Sequence, residues 1–230
     1  MKYEAIIFDA DETLFDFEKS EKEALKRAML DFNIDYIEEY HLKEYKKINK
    51  SLWKDFEEGL ITQKKLKVER FKRLSDKLNI NFDADKFAKS YMNHLANASF
   101  LYEGTTNLIE SLNKFYKLSI ITNGLVSVQD KRIRESTIAK YFDPIVISEE
   151  ILVSKPNKKI FEYTLKHMNL SDKSKVLMVG DSLTSDIQGG INFGIDTCWF
   201  NPKKLKNESL IKPTYEVSSF EELKSLLINS

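Results

Sequence analysis

Cysteine is almost missing from this chain: Cys198 is the only one in 230 residues. An internal disulfide is therefore excluded, and a reducing, cytoplasmic setting is expected. Excess charge is missing too. The 36 Lys and Arg residues balance 36 Asp and Glu, so neither a nucleic-acid polymer nor a membrane surface is an expected partner. No apolar run is long enough to span a bilayer. The sequence opens directly on a core-like strand, and no signal peptide is expected. The three histidines, His41, His94 and His167, fall on helical segments with no shared spacing. They are read as surface or capping groups rather than metal ligands. Internal repeats and low-complexity tracts are absent. What remains is 42% hydrophobic and 31% charged, the balance of a globular chain. Its length suits one large domain or a core with an insertion.

Short apolar runs recur along the chain: Ala5 to Phe8, Leu118 to Ile121, Ile145 to Ile147, Val176 to Val179 and Thr197 to Phe200. Each is too short for a helix and none alternates, as expected of strands buried on both faces of a parallel sheet. Helical spacing separates them, in Leu108, Leu112 and Phe115 and again in Phe161, Leu165 and Met168. Alternating strand and helix predicts an α/β fold with a doubly wound parallel sheet. One interval breaks the alternation. From about Asp16 to about Ser99 every pattern is helical, as in Leu25, Ala28, Met29, Phe32 and in Phe71, Leu74, Leu78. Thr62 and either Asp83 or Asp85 are candidate helix caps. The expected organisation is a core of residues 1–15 and 101–230 with an all-helical insert, 16–100, hung over the first strand's loop as a lid. Glu103-Gly104 is expected to mark the return to the core.

In open α/β sheets ligands bind beyond the carboxyl ends of the strands. After the first strand come Asp9 and Asp11. Two carboxylates at i and i+2 share one side of an extended chain. They favour a hard cation such as Mg²⁺ and leave one acid free for chemistry. After the second strand come Thr122, Asn123 and Gly124; after the third, Ser148-Glu149-Glu150 and then Lys155-Pro156; after the fourth, Gly180-Asp181 through Asp186. This set suits phosphoryl transfer through an aspartyl intermediate. Thr122 can donate its hydroxyl, Asn123 and Gly124 offer N–H groups, and Lys155 supplies positive charge to a phosphate. Asp9, Asp11, Asp181 and Asp186 carry four negative charges against three from Mg²⁺ and Lys155. Such a site should bind phosphate poorly without its metal.

These four segments resemble, in order, the four motifs of the haloacid dehalogenase superfamily of phosphatases. The helical insert is similar to that superfamily's type 1 cap on a Rossmann-like core. Asn49-Lys50-Ser51-Leu52-Trp53, Ile147-Ser148-Glu149-Glu150, Lys155-Pro156-Asn157-Lys158-Lys159-Ile160-Phe161, Gly189-Gly190-Ile191 and Thr197-Cys198-Trp199 resemble the bacterial pyrimidine 5′-nucleotidase branch. The resemblance implies Asp9 as nucleophile and Asp11 as general acid and base. It implies Mg²⁺ held by the Asp9 side chain, the Asp11 backbone carbonyl and the Asp181 side chain, with Asp186 orienting Lys155 or a metal-bound water. Thr122, Asn123, Gly124 and Lys155 would hold the phosphoryl oxygens.

The implied function is a Mg²⁺-dependent phosphomonoesterase acting on a small phosphorylated metabolite, a pyrimidine nucleoside 5′-monophosphate. Alternatives are a sugar-phosphate or phosphoglycolate phosphatase, a 2-haloacid dehalogenase, or a non-catalytic binding module. Asn49, Trp53 or Phe56 could read the base, although Trp53 and Phe56 with Leu52 and Leu60 equally suit a helix core. Thr13 is read as a brace that bonds loop backbone. Gly189 and Gly190 are read as packing glycines and Cys198 as a buried hydrophobe. A monomer or small homo-oligomer is expected.

Overall fold

A computed structural model describes residues 2–228; Met1, Asn229 and Ser230, at the outer ends of the expected core, lie outside the described residues. The chain divides into two compact units, Met1–Phe17 with Ser99–Ser230, and Glu18–Ala98.

The first unit holds a six-stranded parallel sheet. Its strands are β1 (Ala5–Phe8), β2 (Lys117–Thr122), β3 (Ile145–Ile147), β4 (Val176–Gly180), β5 (Asp196–Phe200) and β6 (Tyr215–Val217), in the order β3-β2-β1-β4-β5-β6. Helices α5 (Thr105–Leu112), α6 (Val126–Gln129), α7 (Ser148–Ile151), α8 (Lys158–His167), α9 (Gln188–Phe193) and α10 (Phe220–Ile228) follow or separate these strands.

Successive residues of each central strand enter different cores. Ile6, Phe8, Leu118, Ile120, Leu177 and Val179 pack with Leu108, Ile109 and Leu112 of α5 and Leu223 and Leu227 of α10. Ala5, Ile7, Ile121, Val176 and Met178 pack with Ile160, Phe161 and Leu165 of α8 and Phe193 of α9. Burial on both faces is why the strands read as unbroken apolar runs. Gly189 and Gly190 let α9 approach closely. A Cβ on Gly189 would sit 2.8 Å from the Phe161 ring, and one on Gly190 would sit 2.5 Å from the Thr197 methyl.

The sequence pattern missed β6. This edge strand has three residues, of which only Val217 is buried, so it leaves no apolar run to recognise. Phe115 does not continue α5; the helix ends at Leu112 and Phe115 is exposed. The core unit resumes before Gly104. Asp16 N–H already donates to Phe100 C=O at 2.9 Å, and Leu101 bridges Phe15. Gly104 instead N-caps α5 with φ +85°, a conformation that suits glycine.

The second unit is all helical: α1 (Phe17–Asp31, entering from the core unit), α2 (Lys43–Glu57), α3 (Gln63–Leu78) and α4 (Ala84–Ala96). Thr62 caps α3 by accepting from Lys65 N–H, and Asp83 caps α4 by accepting from Asp85 and Lys86 N–H. Its core is aromatic, with Phe71 centred 5.7 Å from Tyr45, 5.0 Å from Phe87 and 5.0 Å from Tyr91. Among the described residues no helix is long and apolar enough to cross a membrane.

Candidate active site

Asp9 directly follows β1, and its N–H donates to Val179 C=O at 2.8 Å, extending the β1–β4 ladder by one residue. The chain then turns tightly. Leu14 and Phe15 N–H groups both reach Ala10 C=O, and Glu12 N–H reaches Phe15 C=O. Glu12 takes a left-handed φ of 60°, and its carboxylate accepts from Tyr102 OH at 2.9 Å. Thr13 is fully enclosed in this turn, but its hydroxyl has no hydrogen-bond partner. The expected brace to the backbone is absent, because the backbone atoms of the turn bond one another instead.

Thr122 ends β2, Lys155 follows α7, and Asp181 follows Gly180 at the end of β4. These ends lie where the strand order reverses between β1 and β4, the position at which open α/β sheets form a crevice. Lys155 is 2% exposed. Its ammonium bonds Asp9 Oδ1, lies 2.7 Å from Asp186 Oδ1, and donates to Ile121 C=O at 2.8 Å. All three of its N–H groups are thereby used. Asn123 holds the lysine's backbone in place: its Oδ1 accepts from Lys155 N–H at 2.8 Å and its Nδ2 donates to Lys155 C=O at 2.9 Å.

Asp186 is buried and folds back beneath the β4 end. A Cβ on Gly180 would collide with its carboxyl group, so glycine is required there. Ser182 N–H donates to Asp186 Oδ2 at 3.0 Å and Ser185 Oγ donates to Oδ1 at 3.3 Å. Trp199 Nε1 donates to Asp181 C=O at 2.8 Å, tying that loop to β5.

Asp9, Asp181 and Asp186 each offer a carboxylate oxygen, all within 4.8 Å of one another. Burial, offset by Lys155 but reinforced by Asp186, pushes the Asp9 carboxyl up to about 8. Burial and then the neighbouring Asp186 and Asp9 hold the Asp181 carboxyl well above the usual carboxylate range. Burial pulls Lys155 down, but Asp186 and Asp9 outweigh it and keep its ammonium above the ordinary lysine value. Burial alone favours the protonated acids, but a nearby cation would favour their ionised forms, and the three carboxylates would then exceed the one ammonium by two negative charges. Hard oxygen donors with that deficit fit a divalent cation.

Asp11 stands apart from this group. Its Oδ1 lies 2.7 Å from Arg132 Nη1 and its Oδ2 2.7 Å from Gln129 Nε2. The sequence reading missed both partners. Gln129 and Arg132 lie three residues apart on the helical segment after Gly124, which is a detectable spacing. However, Arg132 sits in the run Asp130-Lys131-Arg132, which reads as a solvated face. Gly124 supplies no Cβ, and any Cβ there would run into the Gln129 side chain.

Trp53 lies in the helical unit on α2, its ring edge-on to Phe56 at 5.6 Å. Leu52 is fully buried, but Leu60 lies beyond the end of α2 and is 73% exposed, so the apolar stripe stops short of it. Asn49 is bonded within its own unit, donating to Glu21 at 2.9 Å and accepting from Arg70 at 3.4 Å. His41 is buried rather than at the surface, and its Nδ1 accepts from Ile37 N–H at 2.9 Å.

The family model for haloacid dehalogenase-like hydrolases matches residues 6–200. The pyrimidine 5′-nucleotidase YjjG of Escherichia coli is 40% identical over 227 residues, 99% of either chain. The pyrimidine 5′-nucleotidase PynA of Streptococcus pneumoniae is 38% identical, covering 97% of this chain and 94% of its own. The magnesium-bound crystal structure of Bacillus subtilis YfnB, which reveals interdomain movement, is 36% identical with a TM-score of 0.94, over 99% of this chain and 100% of its own. The matched stretch contains all the strand-end segments that build this acidic crevice, and the chain belongs to the haloacid dehalogenase-like hydrolase family.

Proposed function

We propose that this protein is a Mg²⁺-dependent phosphomonoesterase that hydrolyses pyrimidine nucleoside 5′-monophosphates through a phosphoryl group carried on Asp9. The observation that carries this reading is the buried Asp9 carboxylate bonded to Lys155 beside Asp181 and Asp186 at the sheet edge. The substrate class rests on the two nucleotidases that match nearly the full chain. The helical unit is assigned the choice of leaving group, with Trp53 as its aromatic contact for the base.

Mg²⁺ would be held by the Asp9 and Asp181 side chains and the Asp11 backbone carbonyl, with Asp186 supporting. When bound, it would offset carboxylate charge and make the phosphoryl group easier to approach. Asp9 attacks phosphorus, an Asp9–phosphorus bond forms, and the ester P–O bond breaks. Asp11 gives its proton to the departing ribose oxygen and then takes one from the water that hydrolyses the aspartyl phosphate. Thr122 Oγ1 already accepts from Gly124 N–H at 3.2 Å and from Gln129 Nε2 at 3.1 Å. Its own O–H is thus directed to a further acceptor, here a phosphoryl oxygen. Lys155 engages that phosphoryl group by sharing the N–H it now gives to Asp9.

The test is phosphate release from a panel of nucleotides and sugar phosphates, with Mg²⁺ or EDTA, for wild type and Asp9→Asn. Mg²⁺-dependent release concentrated on UMP, dUMP or dTMP and absent in the variant is expected. Release from sugar phosphates alone would overturn the substrate class. Turnover by Asp9→Asn would overturn the nucleophile.

A further inference from the structure

Arg132 is wholly buried although it carries a permanent charge. Its guanidinium lies 5.8 Å from the Phe15 ring centre and 5.2 Å from that of Phe17, a cation–π setting that favours this cation. From there Nη1 reaches Asp11 Oδ1 at 2.7 Å and Gln129 Oε1 at 2.9 Å. Arginine only donates, so the Gln129 atom facing it must be the carbonyl oxygen. The other end of the amide is then its NH₂ group. That group donates to Asp11 Oδ2 at 2.7 Å and to Thr122 Oγ1 at 3.1 Å. One buried arginine thereby sets an amide's orientation, and the two together hold both oxygens of Asp11.

A simple ion pair would not need this arrangement. An exposed lysine could neutralise Asp11, whereas a planar guanidinium and a planar amide meeting at one carboxylate define its direction as well. The proton given up by Asp11 must travel to one particular oxygen, and small errors in placing such a donor are costly.

We infer that Gln129 and Arg132 are positioning residues that aim the Asp11 carboxyl group at the leaving-group oxygen. This rests on the phosphatase reading above, because it needs Asp11 to handle that proton.

The experiment compares UMP with p-nitrophenyl phosphate for wild type, Arg132→Gln, Arg132→Lys and Gln129→Leu. Nitrophenolate leaves without a proton, while the ribose alkoxide does not. Because kcat/KM counts only the steps up to loss of the leaving group, it isolates the aim of Asp11. Arg132→Gln is expected to lower kcat/KM for UMP about 10²-fold, the scale of a lost general acid, with only a few-fold loss for p-nitrophenyl phosphate. A burst of nitrophenolate should appear as well, since hydrolysis of the aspartyl phosphate also needs Asp11. Gln129→Leu should add an equal loss on both substrates through Thr122 while keeping the excess loss on UMP. Arg132→Lys, which keeps the charge but not the planar guanidinium set against Phe15 and Phe17, should recover only part of the UMP activity. Equal losses on both substrates without a burst would overturn the inference, as would wild-type behaviour in all three variants. Should Arg132→Gln fail to fold, Gln129→Leu decides by the same ratio. No phosphate release by wild type from either substrate would instead remove the phosphatase reading, and this inference with it.

Discussion

Asn123 and Lys155, on different strand-end segments, are joined by two reciprocal hydrogen bonds, N–H to Oδ1 at 2.8 Å and Nδ2 to C=O at 2.9 Å. The asparagine amide therefore pairs with a peptide group much as a neighbouring strand would. It fixes the lysine's backbone, and with it the ammonium against Asp9 and Asp186. Asn123→Ala removes both bonds, each contributing about 1 kcal/mol, and frees the lysine's backbone. The expected outcome is a drop in kcat/KM on the order of 10²-fold with a melting temperature lower by several degrees. Unchanged kcat/KM in steady-state assays would remove Asn123 from the machinery that places Lys155.

The three carboxylates at the sheet edge are mutually repulsive and buried. Saturating Mg²⁺ should therefore raise the thermal midpoint of wild type, by about 2.7 kcal/mol of added stability at a hundred times Kd. Asp181→Asn should lose most of that gain. In EDTA the same variant should be no less stable than wild type, because one repelling charge is gone. Calorimetry in both buffers reads each effect; equal Mg²⁺ shifts in the two proteins would remove Asp181 from the ion's ligands.

Burial holds His41 below the ordinary histidine value, and its Nδ1 must stay unprotonated to accept from Ile37 N–H. The unfolded chain protonates this histidine near pH 6.5, where the folded chain still keeps it neutral. The unfolded state then binds more protons, so stability rises with pH across this window. The His41 contribution is complete above about pH 6.5 and is lost as pH falls towards the lower folded value. His41→Gln should flatten melting curves recorded between about pH 7.5 and 5.5. An identical slope in both proteins would show that His41 does not titrate on unfolding.

Trp53 is only partly buried, so Trp53→Ala should cost little stability. Base stacking on an aromatic ring is worth about 1–3 kcal/mol. The variant should therefore lose activity on UMP and dTMP about tenfold or more relative to p-nitrophenyl phosphate. A uniform loss on every substrate, with a lowered melting temperature, would place Trp53 in the packing of its unit instead.

Five strands were legible because each is buried on both faces and so appears as an apolar run. Tyr215–Val217 was not, because a three-residue edge strand has one buried side chain to show. Asp9, Thr122, Lys155 and Asp181 were legible for a different reason: strand ends locate the crevice, and each of these residues lies at a strand end or in the segment leading from one. Gln129 and Arg132 do not. They reach Asp11 from the second turn after Gly124, and their importance depends on a cation enclosed by Phe15 and Phe17. Sequence spacing alone does not distinguish that from a solvated basic run. Thr13 failed for the opposite reason. Its residue type suggests a brace, but the turn around it satisfies its own backbone.

The ion pair of Asp9 with Lys155 closes a loop of 146 residues, and β1 meets its neighbour β2 only after the whole helical unit has been synthesised. Contacts so distant along the chain form late, after the entropy of closing long loops has been overcome. Helical circular dichroism should thus recover during refolding before Asp9 and Lys155 meet. Phosphate release then becomes a clock for completion of the sheet, and the lag between the two signals measures how long the chain holds helices without a catalyst.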